Sequence, residues 1–587
     1  MIHNDVLVLD IETDDINPDK ANLRYFGAYS YKENKYYLLS NASINDIKEL
    51  LNEYKIFCGF NIKKFDLPIL ARCLSLDFKY KIIIDLYEIS ASNYEMSKSR
   101  TNKNRLSQMG VVVKDYKLKT IAQELKFDVG LKGDIDYKIF EKEEWSAPEI
   151  KDIEKYLKQD IDITRALFEW YEFQFAPLKE MLPVEEQRKY NHLKSSIASL
   201  GYKIICNKAG LDVEWQDKRN IKKVSFAGGH HIEPRFSKAV GNIVSIDFAS
   251  AYPHAMMMGN LFCPSAEGWD GADYFKLKGC YDNKNQGAVE KALSDIYDLR
   301  LQAKQSGDKI KDKSYKLVVN SLYGLTGNAT FKTLYNPVTA SDCTSIVRTW
   351  LKKLAKTLEE NGFVVLYGFT DSCMVKIPEQ SSKEELMFVV DKFIEDVKTH
   401  MPFPKETFKL DIEREMKFVW FVAKNCYLWV DNKNKVDYKS TLLDANTPES
   451  VMKLFKNYMS DKIIKELDVK FYDAELRKEL LKILEKNAGL ACEEYRCSSQ
   501  ENYKIKTSLQ YQIAERYGAG THHLIPNLKG VGVGRAITTK KKIGVRYCTI
   551  EEFNKSKLKV LDIDISQSMK RLKPFISKSQ TKLEPAQ

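Results

Sequence analysis

A chain of 587 residues is too long for one hydrophobic core, so several domains are expected. Its composition is globular, at 44% hydrophobic and 29% charged. No apolar run reaches the ~18 residues that span a bilayer, and the N-terminal MIHNDVLVLD lacks the basic stretch and cleavage site of a signal peptide, so a cytoplasmic protein is expected. The 11 cysteines are scattered, odd in number and form no CxxC pair, which argues for a reducing compartment and against a zinc or iron–sulfur module, and the net charge of +11 suits a polyanionic partner.

Residues 1–175 read as strands followed by helices. VLVLDIET (6–13) is a buried strand ending in acids, where Asp10 and Glu12, two apart, point to one face. GFNIKKFD (59–66) carries Asn61 and Asp66 on a loop. YLKQD (156–160) lies in a long helical pattern from about Pro148 to Phe175, so Tyr156 and Asp160 are neighbours on one helix face. Four carboxylates at one point repel unless a cation neutralises them, and oxygen-only ligands suit Mg²⁺ or Mn²⁺. Two such ions can activate a water and stabilise the leaving oxygen of a phosphodiester.

SIDFASAYPHAMM (245–257) sets Asp247 after a strand-like run and ends its turn at Tyr252-Pro253. Two helical segments, about 287–305 and 312–325, flank the turn 305–309 and are expected to form an antiparallel hairpin. Arg300 and Lys304 are four apart; Lys316, Asn320, Tyr323 and Gly324 of KLVVNSLYG share one helix face. Three cations folded together make a clamp for a triphosphate. Tyr323 with Gly324, a flat ring beside a bare backbone, suits a base pair. YGFTDS (367–372) then sits between the apolar runs FVVL and MVKI, with Asp371 at the tip of an expected hairpin and Phe369 just before it.

DIET, NIKKFD and YLKQD, in that order, resemble the three motifs of the DEDDy 3′–5′ proofreading exonucleases. SIDFASAYP, KLVVNSLYG and YGFTDS are similar to DxxSLYP, KxxxNSxYG and YxDTDS of family B DNA polymerases. The resemblance implies an α/β multidomain chain. An RNase H-like exonuclease domain (1–185) would precede a right-hand polymerase of palm (186–286 and 328–430), fingers hairpin (287–327) and thumb (431–587) with a loose C-terminal tail. It gives Asp10, Glu12, Asp66 and Asp160 metal roles and Tyr156 the orientation of the attacking water. Lys132, in LKGDIDY, would assist as in protein-primed phage polymerases, and Asn61 and Phe65 would touch the frayed strand.

For synthesis, the resemblance gives the metals to Asp247, Asp371 and the backbone carbonyl of Phe248. Arg300, Lys304, Lys316 and Asn320 would hold the dNTP, with Tyr252 under the sugar. Tyr323, Gly324, Thr370, Gly228 and Gly229 of SFAGGHH, and Lys424 and Tyr427 of AKNCYLW would contact DNA. So would Lys529, Arg535, Lys541 and Lys542, in a stretch that looks like the thumb of cellular and archaeal members. Two Mg²⁺ (or Mn²⁺) ions are implied at each site.

The departures are Ala251 for leucine and Phe369 for aspartate. The second acid of the family's DTD binds the metals directly and the first mostly sits beside the site. The expected function is therefore template-directed DNA synthesis from dNTPs on primer–template DNA, with proofreading. The alternative is an active exonuclease on a polymerase fold silenced by Phe369. The short stretch between Asp247 and Lys316 leaves no room for the insertion that receives a terminal protein, and no clamp-binding box ends the chain. A monomer of small viral or phage type is expected.

Overall fold

The computed structural model describes residues 3–95, 106, 109–111, 113, 116–127, 135–217, 224–423, 425–440, 443, 447–467, 470–486, 493–497, 511, 515, 520–524, 547–548 and 565–580. Two compact units emerge, Met1–Lys222 with Lys291–Tyr335, and Lys223–Glu290 with Asn336–Gln587. None of the described helices is long and apolar enough to cross a membrane.

The first unit is built on five strands, β1 (Val6–Thr13), β2 (Leu23–Ser30), β3 (Lys35–Ser40), β4 (Ile56–Gly59) and β5 (Ile82–Asp85), in the order β3-β2-β1-β4-β5. The β1–β2 and β2–β3 pairs are antiparallel, β1–β4 and β4–β5 parallel. β1 is central and covered on both faces, which is why it reads as a continuous apolar run until its acids. Leu7, Leu9, Phe26, Leu51, Phe57 and Leu70 form the core on one side. The 34-residue helix Ala147–Glu180 opens with a capping box of Ser146 and Glu149 and packs against β1 and β2. Gly27 makes this approach possible, because a Cβ there would lie 2.6 Å from Leu157 Cγ.

The same unit holds the expected helical hairpin, as helices Ala288–Gln305 (from Lys291 onward) and Lys309–Thr326. Gly307 turns it at φ 74°, and the Asp308 carboxylate accepts the Lys311 N–H at 3.0 Å to cap the second helix. That helix packs on helix Ile197–Lys208.

The second unit carries a seven-stranded, wholly antiparallel sheet. Its strands are β6 (His231–Ile232), β7 (Lys238–Phe248), β9 (Val364–Phe369), β10 (Ser372–Ile377), β11 (Leu410–Ala423), β12 (Cys426–Asp431) and β13 (Val436–Lys439), with β8 (Pro264–Trp269) outside it. The order is β13-β12-β11-β7-β10-β9-β6. Helices Pro337–Glu360 and Lys383–Thr399 pack together, and the fully buried Trp350 stacks on Phe248 and sits 4.6 Å from Phe408 between ring centroids.

Candidate active sites

In the first unit, β1 supplies Asp10 and Glu12 and the long helix supplies Asp160. One carboxylate oxygen from each lies within 4.8 Å of the others. Glu12 and Asp160 are buried, so the group is held away from bulk water. Asp66, read from sequence as a loop residue, is the first residue of helix Asp66–Leu74 and is 3% exposed. Burial first, and the Asp10 charge next, push its carboxyl well above the ordinary range. Among the described residues its Oδ1 has no hydrogen-bond partner. Asp66 is not one of the three residues whose oxygens converge, but a buried carboxyl oxygen left unmatched near Asp10 is one that a hard cation would satisfy.

Tyr156, one turn before Asp160, shares a hydrogen bond between hydroxyls with Tyr137 at 2.9 Å. Burial and the Asp160 charge raise its phenol far above the usual value, so it stays protonated and can donate. A cavity of about 570 Å³ adjoins it, lined among others by Lys138, Lys142, Asp152, Lys155 and Gln159.

Asp85, at the end of β5, escaped the sequence reading. Its carboxylate accepts the N–H groups of Asn61 and Lys63 at 3.1 Å each, and of Tyr87 and Glu88 at 3.0 and 3.1 Å. It therefore caps the helix Leu86–Glu95 and braces the loop in which Asn61 takes φ 63°. Phe65 is half-buried at the end of that loop. The visible signal was IIID, an apolar run ended by an Asp at a helix start.

In the second unit, Asp247 sits near the end of β7. Register sets it opposite Ser372 of β10 on one side and Asp411 of β11 on the other. The Phe248 N–H donates to the Asp371 carbonyl at 3.0 Å, so Asp247 and Asp371 belong to adjoining backbone positions. Burial pushes the Asp371 carboxyl up, against the pull of the Lys439 ammonium. The turn is tight: Thr370 has φ 58°, and the Asp371 N–H donates to the Phe369 carbonyl at 2.7 Å.

The glycine pair lies against this turn. A Cβ on Gly229 would lie 3.0 Å from Thr370 Oγ1, and Arg348 donates to the carbonyls of Ala227 and Gly228 at 2.8 and 2.9 Å. Tyr252 is half-buried in helix Ala251–Gly259, which follows Ser250 at φ 58°. Tyr427 on β12 is buried, with its ring 5.6 Å from that of Tyr367. Asp411 and Glu413 of β11 are further carboxylates here that the sequence reading missed. Asp411 is paired with Lys409 at 2.7 Å, while Glu413 acts electrostatically on Asp371. Their alternation in LDIEREM was the available clue.

On the helical hairpin, Lys304, Lys316, Asn320 and Gly324 are exposed and Tyr323 is half-buried. Arg300, one of the three cations expected to clamp a triphosphate, is paired within the hairpin: its Nε donates to Asp312 Oδ1 at 3.0 Å. Lys132, Lys424, Lys529, Arg535, Lys541 and Lys542 lie outside the described residues.

Residues 7–172 match the model of the RNase H superfamily, and residues 277–517 match that of DNA polymerase family B. Residues 277–517 therefore carry a DNA polymerase family B domain. It is similar to DNA polymerase 1 of Saccharolobus solfataricus, 29% identical over 259 residues, which is 40% of this chain and 28% of that one. It is similar to the DNA polymerase of Archaeoglobus fulgidus, 24% identical over 65% of this chain and 49% of the relative. DNA polymerase II of Escherichia coli is 24% identical over 42% of this chain and 35% of its own length. The chain thus spans at most about half the length of these relatives. The solved family B DNA polymerase from Pyrobaculum calidifontis shares the fold, with a TM-score of 0.53 at 15% identity over 99% of this chain and 78% of that one. The RNase H-like domain precedes the family B polymerase domain, the order read from the motifs.

Proposed function

We propose that the chain extends primer–template DNA with dNTPs at Asp247 and Asp371 and removes 3′-terminal nucleotides at the Asp10 cluster. The observation that supports synthesis most directly is the register that sets Asp247 on β7 opposite Ser372 and so beside Asp371 in the turn before it. Trimming is supported by the convergence of Asp10, Glu12 and Asp160 within 4.8 Å. In this reading residues 1–185 are the exonuclease domain, 287–327 the fingers, and 431–587 the thumb.

Asp10, Glu12, Asp66 and Asp160 would hold divalent cations at one site, and Asp247, Asp371 and the Phe248 carbonyl at the other. Such ions, Mg²⁺ or Mn²⁺ and two per site, supply charge neutralisation and a low-pKa water or hydroxyl nucleophile when bound. Tyr156, kept protonated and hydrogen-bonded to Tyr137, donates to and orients the attacking water, with Lys132 assisting. Asn61 and Phe65 hold the frayed strand. Lys304, Lys316 and Asn320 receive the triphosphate, and Arg300 serves either by leaving Asp312 or by stiffening the hairpin through it. Tyr252 blocks a 2′-hydroxyl. Lys424, Lys529, Arg535, Lys541 and Lys542 grip the DNA backbone, which fixes position without reading sequence.

A primer-extension assay with and without dNTPs tests this. Growth of the primer with dNTPs and shortening without them is the expected result. Shortening alone would mean that Phe369 has silenced synthesis, and neither would leave only a DNA-binding protein.

A further inference from the structure

We propose that Phe369 is a positioning residue that presents the Lys439 ammonium to a phosphate group of the substrate beside Asp371. The inference rests on the polymerase reading above. Phe369 stands where the family pattern has a carboxylate, and its ring is held from two sides. His231 meets it edge-on with centroids 4.4 Å apart. Lys439 Nζ lies 4.0 Å from the ring centroid. A cation at that distance over an aromatic face is attracted by the ring quadrupole.

An acid at 369 would draw the ammonium into an ion pair. A ring holds the same ammonium in place without taking it into an ion pair. Lys439 ends β13 and is exposed. Its backbone pairs with Tyr427 of β12, and among the described residues its ammonium makes no hydrogen bond and no ion pair. The charges that act on it are Asp371 and Glu413 on one side and Arg414 on the other, and Arg414 is itself bonded to Glu413 at 2.8 Å. An exposed lysine is ordinarily only solvated. This one is fixed on the ring of the catalytic hairpin, next to the carboxylate at its tip. The group that an oriented ammonium outside any ion pair recognises there is an anion, and the anions of this reaction are phosphates. They have two sources, the DNA backbone and the triphosphate of the dNTP.

The test is the equilibrium affinity for primer–template DNA over a range of salt concentrations, with the KM for a single dNTP measured alongside. Lys439→Ala should flatten the slope of log K against log[salt] by about 0.9 if the phosphate is on duplex. It should instead raise the dNTP KM several-fold at an unchanged slope if the phosphate is on the triphosphate; either result carries the proposal. Lys439→Arg should stay close to wild type, since a guanidinium also stacks on a ring. Phe369→Leu should shift the same reading in the same direction and Phe369→Trp should preserve it. The double variant Phe369→Leu/Lys439→Ala should be no worse than Lys439→Ala alone, because the ring acts only through the lysine. Lys439→Ala with wild-type slope and wild-type KM, or additive effects of the two changes, would overturn it. The affinity arm needs no turnover. A chain that binds DNA through Lys439 but never extends a primer would therefore sink the polymerase reading and leave this one standing.

Discussion

Asp10 and Glu12 share a face because strand side chains alternate, and this much was legible from two letters of spacing. Asp85 was not legible, because its role is to satisfy N–H groups of a loop whose path the sequence does not show. Removing it tests that role. Asp85→Ala would orphan amides at Asn61 and Lys63 and lose a helix cap, a cost of about 1–3 kcal/mol. Single-strand degradation should fall with it, because the loop leads into Asp66, and primer extension should be retained; an unchanged melting temperature with unchanged degradation would deny the bracing role. At the other site, Tyr252→Ala should admit ribonucleotides, because the exclusion is steric and is lost with the ring. The ratio of kcat/KM for dNTP over NTP measures this, and an unaltered ratio would remove Tyr252 from the sugar pocket.

Among elements, the helical hairpin was foreseen almost in full. The first helix ends at Gln305 as expected, and the second begins at Lys309, three residues before the expected 312, because Asp308 caps it. Its association with the first unit had no periodic signature. It depends on a fit of shapes: Gly201 leaves room for Ser321, whose Oγ would lie 2.1 Å from a Cβ there, and Tyr202, Trp215 and Phe331 cluster with centroids 5.0–5.6 Å apart. The hairpin's first helix also starts on a titrating group. Glu290 is fully buried, Oε1 accepts the Phe262 N–H at 2.6 Å, and Oε2 has no partner among the described residues. Burial raises its carboxyl to about 7. A folded value above the unfolded one, about 4.3, means that its contribution to stability is full below the unfolded value. That contribution is lost as pH rises through about 7. Glu290→Gln keeps the acceptor and removes the titration. The stability of the variant relative to wild type should therefore grow by about 1.4 kcal/mol per pH unit between roughly pH 5 and 7, then level off. Denaturant melts at several pH values check this, and a pH-independent difference would mean that Glu290 does not titrate in that window.

Over the whole molecule, the two carboxylate sites sit on different sheets of different compact units and share no residue. Motif order made this division legible, because each motif reads locally; the pairing of Asp411 with Asp247 did not, because register between distant strands is set by the fold. A division into two sites predicts a reciprocal loss. Asp10→Ala with Glu12→Ala removes two ligands from the first site, so degradation of a single strand should drop by orders of magnitude while extension survives. Asp371→Ala leaves Asp247 without its neighbour, so nucleotide addition should collapse with Mg²⁺ and with Mn²⁺ while degradation persists. Phe369→Asp separates charge from position. It adds a carboxylate beside Asp371 but also draws Lys439 off the ring into an ion pair. Addition chemistry should survive this, because Asp371 is untouched, while the salt dependence of DNA affinity or the dNTP KM should move toward that of Lys439→Ala. Single-nucleotide addition by wild type and by each variant, read beside strand degradation in the same preparations, decides the matter. Wild type that adds no nucleotide under either metal, and is rescued by Phe369→Asp, would show that the ring at 369 blocks the site it was argued to serve.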